Sequence, residues 1–112
     1  MKQSYLTILC TVPTFSAAQT IANELVSREL AACCNIIPGI TSIYRWQGKV
    51  ETDDELLVII KSTEENYKAI ENSIKELHPY EVPEIIALTI EKGLGAYLEW
   101  INQSTKANHG QD

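Results

Sequence analysis

The densest collection of reactive side chains is the segment His78-Pro79-Tyr80-Glu81-Val82-Pro83-Glu84, an imidazole, a phenol and two carboxylates around two prolines. A rigid loop that holds polar groups in place can wall a ligand pocket. The same prolines also make a stiff connector, because they lower the entropy of the unfolded chain. Both readings stand at this level. Three cysteines, Cys10, Cys33 and Cys34, are an odd number without the CxxC spacing of a zinc or redox site. Cys33 and Cys34 are neighbours on a predicted strand, so they point to opposite faces and neither bond each other nor share one metal. Buried free thiols are expected. The acidic run Glu51-Thr52-Asp53-Asp54-Glu55 attracts hard cations in principle. Its carboxylates alternate across a strand and lack the glycine of a calcium loop, so it reads as a solvated hairpin stem. Phosphate-loop, GxGxxG and HExxH patterns are absent, and Gly93-Leu94-Gly95 is too short for a dinucleotide.

Composition bounds what these groups can serve. A chain of 112 residues suits one domain, 1–112, with one core. Its 45% hydrophobic and 21% charged residues are those of a globular protein. A formal charge of −6 has the wrong sign for condensed phosphates or anionic lipid, so neither nucleic acid nor a membrane surface is an expected partner. The apolar stretch Tyr5 to Val12 follows one lysine, is interrupted by threonines and closes at Pro13, which is a strand rather than a secretory signal. No stretch approaches the roughly 20 apolar residues of a membrane span. A cytoplasmic protein is expected.

The elements that must position the reactive groups follow from periodicity. Ser4 to Val12 alternates with period two, a first strand. Ser16 with Gln19 forms a capping-box pattern, and Ala18, Ile21, Ala22, Leu25 and Val26 then share a helical face to about Leu30. Cys33 to Trp46 reads as a second strand, broken by a bulge or edge at Pro38-Gly39. Gln47-Gly48 turns the chain into a third strand, Lys49 to Lys61, making a long hairpin. A second capping box at Ser62 and Glu65 starts a helix with Tyr67, Ile70, Ile74 and Leu77 on one face, and Pro79 stops it. Pro83 to Ile90 is a short fourth strand, and a last helix starts near Ala96. Residues 106–112 read as a polar, frayed tail.

This order is the split βαβ pattern of an α+β, ferredoxin-like βαββαβ sandwich with one extra C-terminal helix and a long β2–β3 hairpin. Such a fold covers one sheet face with helices. The runs Leu56 to Ile60 and Ile85 to Leu88 are nevertheless continuously apolar, as in strands buried on both faces. A hairpin arm of a dozen residues also reaches roughly 40 Å, beyond the radius of about 13 Å of such a domain. Another copy of the chain is the economical cover for the second face. Tyr44 and Trp46 near the arm's tip fit either anchors for a partner or packing within that assembly.

Four separated motifs, Leu9-Cys10-Thr11-Val12-Pro13, Leu30 to Gly39, Ser42 to Lys49 and His78 to Ile85, resemble the CutA divalent-cation tolerance proteins, in order and over the chain to about Ile101. The resemblance implies a homotrimer similar in architecture to the nitrogen-regulatory PII proteins, and a part in tolerance of copper (Cu2+) or other divalent metal ions. It places the family's suggested copper ligands on Cys10 and His78. Some members have two consecutive histidines here, whereas Leu77 precedes His78, so one ligand of those relatives is absent.

A thiolate and an imidazole suit copper or zinc by softness, but stable sites take three or four ligands. Another subunit, Glu81, Glu84 or water has to complete this pair. The alternatives are that Cys10 is core, on the strand face of Leu6 and Ile8, and that His78 closes a helix at its negative end. An enzyme with Cys10 as nucleophile and His78 as base is not expected, because Cys10 lies inside a strand rather than at a helix N-terminus. The second functional reading is a signalling or scaffold trimer whose inter-subunit clefts take a metabolite or a partner protein.

Overall fold

The computed structural model describes residues 3–106. Strands β1 (Tyr5–Val12), β2 (Cys33–Trp46), β3 (Lys49–Thr63) and β4 (Ile86–Ile90) form one antiparallel sheet in the order β2-β3-β1-β4. Helices α1 (Phe15–Ser27) and α2 (Tyr67–Leu77) make the crossovers, and α3 (Gly95–Gln103) follows β4. This is the α+β arrangement expected from the element order.

The core lies between the sheet and α1 and α2. Leu6, Ile8, Cys10 and Val12 of β1 alternate with half-buried residues, and Val58 and Ile60 stand opposite Cys10 and Ile8 on β3. Ile21 and Leu25 of α1 and Ile70 and Ile74 of α2 close over them. Burying one such side chain contributes about 1.5–3 kcal/mol. Helix α3 packs on β3 from the other side, where Tyr97 shares a hydrogen bond with Cys33. It covers one end of the face expected to be bare. On the remainder Ile86 and Leu88 are 49% and 54% exposed.

Several boundaries differ from the sequence reading, each for a local reason. Thr14, not Ser16, caps α1, its hydroxyl accepting the Ala17 amide at 3.1 Å. The helix ends at Ser27 rather than Leu30. Glu29 turns left-handed at φ 60°, and the Glu29 and Leu30 amides bond back to the Val26 and Leu25 carbonyls, a Schellman closure. The capping box at Ser62 and Glu65 does not form, because β3 continues to Thr63 and the Ser62 hydroxyl donates to the Leu30 carbonyl at 2.6 Å. A 3-10 turn over Glu64–Asn66 leads into α2 instead. Strand β4 starts at Ile86, not Pro83, and Lys106 is tied through its amide to the Glu29 carbonyl. The rest of the expected tail lies outside the described residues.

The hairpin matches its expectation closely. Gln47 and Gly48 both have positive φ, 51° and 81°, the two-residue turn whose twist suits a hairpin. The pairing slips between Ile37 and Ile40, where Gly39 takes φ 80°, so Pro38-Gly39 makes a bulge within a continuous strand. The arm stretches the molecule to 48 × 27 × 22 Å.

Candidate functional site

The site is made by a mismatch in strand length. Strand β1 pairs with β3 up to Val12 but with β4 only up to Leu9, so Cys10 to Val12 have no β4 partner. The connection from α2 to β4 fills that gap. Helix α2 ends at His78, whose extended backbone turns the chain toward β1. The Tyr80 amide, which can only donate, reaches His78 Nδ1 at 3.0 Å. Nδ1 therefore carries the lone pair, and Nε2–H donates to the Thr11 carbonyl at 2.7 Å. The histidine stands in for a missing ladder bond.

Two further groups meet the same residue. The Cys10 thiol, fully buried on the core face, lies 3.8 Å from the Thr11 carbonyl oxygen, and the Thr11 hydroxyl donates to Glu84 at 3.4 Å. The structure thus brings Cys10, His78 and Glu84 together around Thr11. Among the described residues, no three His, Cys, Asp or Glu side chains are grouped so as to hold a metal ion within one chain. Cys33 and Cys34 take no part. They are free and half-buried on opposite faces, Cys34 against the core.

Outside Thr11 opens a cleft of about 740 Å³ between the arm and the proline-bounded loop. Tyr44 and Trp46 of β2 form one wall, and Pro79, Tyr80 and Val82 form the other. Three glutamates, Glu55, Glu81 and Glu84, line it, and no lysine or arginine does so among the described residues. Glu55 is only 8% exposed and accepts the Tyr80 phenol at 2.8 Å. Tyr44 gives its hydroxyl to Asp53, which holds the phenol up near 12. Glu55 corrects the reading of the acidic run as a solvated stem. It immediately precedes the apolar run Leu56 to Ile60, so it sits where the arm enters the core; that adjacency was the available signal. Thr11 carried no signal, since its role depends on where β4 stops.

Burial, then the charges of Glu84 and Glu55, push the Cys10 thiol up from 9.0 to about 12. The folded value lies above the unfolded one. The thiol's contribution to stability is therefore complete below about pH 9 and is lost as pH climbs toward 12. The urea midpoint is expected to fall across that window. Alkylation at pH 8, read by mass spectrometry, is expected to leave Cys10 unmodified in native protein and modify it in urea.

A four-stranded antiparallel sheet with two crossover helices, a long arm and an acidic cleft at the arm's base defines an α+β protein with one candidate site at that cleft. The profile of the CutA1 divalent ion tolerance protein family matches residues 6–104. The chain belongs to that family. It is 51% identical over 98 residues to the divalent-cation tolerance protein CutA of Thermus thermophilus, covering 88% of this chain and 95% of that one. The solved structure of a divalent cation tolerance protein (Cut A1) from the same organism superposes with a TM-score of 0.89 at 50% identity, over 90% of this chain and 98% of that one. Identity to the chloroplastic protein CutA 1 of Oryza sativa subsp. japonica is 46% over 101 residues, 90% of this chain. The match spans 57% of that relative's length.

Proposed function

We propose that this protein is a cytoplasmic homotrimer that binds divalent cations, copper foremost, at Cys10 and His78, contributes to metal tolerance and catalyses no reaction. The observation that carries the reading is the meeting of Cys10, His78 and Glu84 at Thr11, behind a cleft lined by three glutamates and no basic side chain among the described residues. Thiolate and imidazole supply soft ligands, and the carboxylates raise the local concentration of cations. Metal has to displace the Cys10 proton and take His78 Nε2 from the Thr11 carbonyl. With two soft ligands per chain, completion by a neighbouring subunit fits, and the exposed Ile86 and Leu88 give that neighbour a surface to cover. Three free thiols accord with a reducing compartment. A thiol held protonated to about 12 argues against a nucleophilic role, and metal has to compete with that proton.

Calorimetric titration with Cu2+ tests the site. Cys10→Ser and His78→Ala are each expected to weaken binding roughly tenfold or more, as loss of a ligand does. Affinity should also fall toward acid, where protons compete for both groups. Unchanged affinity in both variants removes the site. The size of the cleft favours a second reading, since about 740 Å³ with aromatic walls suits a small molecule. A metabolite that raises the melting temperature when copper does not would establish a PII-like role instead.

A further inference from the structure

The cleft carries charge that nothing in the chain compensates. Glu55 is only 8% exposed, yet neither it nor Glu81 or Glu84 joins an ion pair among the described residues. A carboxylate taken so far out of water is costly unless a cation or full hydrogen bonding offsets it. Glu55 has one such bond, on Oε2 from the Tyr80 phenol, and its Oε1 has none among the described residues. The hydroxyls that an anion would need are already committed, Tyr80 to Glu55, Tyr44 to Asp53 and Thr11 to Glu84. Acceptor oxygens and aromatic faces remain, exposed Trp46 foremost. That lining favours a cation that donates hydrogen bonds. The carboxylates also do not converge, since no three acidic, histidine or cysteine side chains are grouped for one metal ion among the described residues. Charge spread along about 740 Å³ beside aromatic rings calls for a cation that is itself spread, with apolar carbon between its charges.

We propose that the cleft binds an aliphatic polyamine, with its ammonium groups on Glu55, Glu81 and Glu84 and its methylene chain against Trp46 and Tyr80. The inference rests on the second reading above, a small molecule in the cleft, and names the chemical class of that molecule. Each ammonium brings a positive charge and hydrogen-bond donors to oxygens that lack both. Methylenes laid on the rings leave water, and an ammonium within about 6 Å of a ring centroid adds a cation–π attraction. A bare divalent ion gains nothing from the apolar part of the wall.

Spermidine titrated into the whole protein, with a chelator present to remove metal, tests the assignment. The two tryptophans are Trp46 and Trp100, and Trp100 lies on α3, so Trp100→Phe leaves Trp46 emission as a reporter of the cleft. A saturable change in that emission is expected, matched by calorimetry on the unaltered chain. Glu84→Gln and Glu55→Gln are each expected to weaken binding about tenfold, the loss typical of a hydrogen bond to a charged group. Glutamine keeps an acceptor for Thr11 or Tyr80, and circular dichroism melts report folding; Glu84→Gln alone suffices if Glu55→Gln does not fold. Glu64→Gln removes the same charge from an exposed position beyond the far end of β3 and should leave binding within about twofold of the original, as expected of a surface charge outside the Debye length. No saturable response, unchanged affinity in Glu84→Gln, or an equal loss in Glu64→Gln overturns the inference. Glutarate or 1,4-butanediol binding as tightly as spermidine overturns the polyamine class and keeps the small-molecule reading.

Discussion

Replacing Ile86 with aspartate is expected to convert an assembly of about 37 kDa, three times the 12.5 kDa chain, into monomer or insoluble protein. Ile86 opposes Leu9 across the β1–β4 ladder, on the face turned away from α1 and α2, and it is 49% exposed in the single chain. Leu57 and Ile59 of β3 and Leu88 of β4 share that face by alternation. Helix α3 reaches only one end of it. Left in water, such a patch is a site of aggregation or association. Covered by another copy, an aspartate there becomes an unpaired buried charge and costs about 3–5 kcal/mol per site. In a closed ring the substitution repeats at every interface, so the loss multiplies. Light scattering coupled to size exclusion gives the mass directly. A wild-type chain that stays monomeric at micromolar concentration removes the trimer, and an Ile86→Asp variant of unchanged mass removes this face from the contact.

His78→Ala is expected to destabilise the fold by about 2–5 kcal/mol in metal-free protein, because it leaves two backbone groups without partners. The Thr11 carbonyl loses the 2.7 Å bond from Nε2–H, and the Tyr80 amide loses its 3.0 Å acceptor. A buried group left unsatisfied costs about 1–3 kcal/mol, and His78 is only 7% exposed. The ring also packs against Tyr80 in a tilted arrangement, 4.8 Å between centroids, and Tyr80 in turn holds Glu55. Release of His78 therefore loosens the loop that walls the cleft. Urea unfolding with a chelator present measures this without any ligand effect. Full stability under those conditions, with copper affinity lost, would make His78 a ligand with no clamping role. A loss in both shows that one residue anchors the loop and faces the metal.

How far the site could be read in advance depended on the range of the interactions involved. Cys10 and His78 were legible by type, and the loop from His78 to Glu84 by its prolines and polar groups. The bonds that occupy both nitrogens of His78 were not, since they depend on the register in which β4 meets β1. Ser16 and Ser62 show the same limit at helix starts. Both fit a capping box in sequence, but Thr14 caps α1, and Ser62 is drawn into the core to satisfy the Leu30 carbonyl.

The order and type of the elements were legible in local pattern, because period-two and period-3.6 repeats, the Gln47-Gly48 turn and the stop at Pro79 act over a few residues. The same local reading set the expectation of a second apolar sheet face, since Leu56 to Ile60 and Ile85 to Leu88 are apolar without alternation. Three features came from packing alone: α3 covers one end of that face, β4 begins at Ile86 rather than at Pro83, and Thr11 becomes the meeting point of Cys10, His78 and Glu84. Those outcomes turn on which strand ends first and which carbonyl is left open. Such differences are settled by long-range packing and by the need to pair every buried polar group.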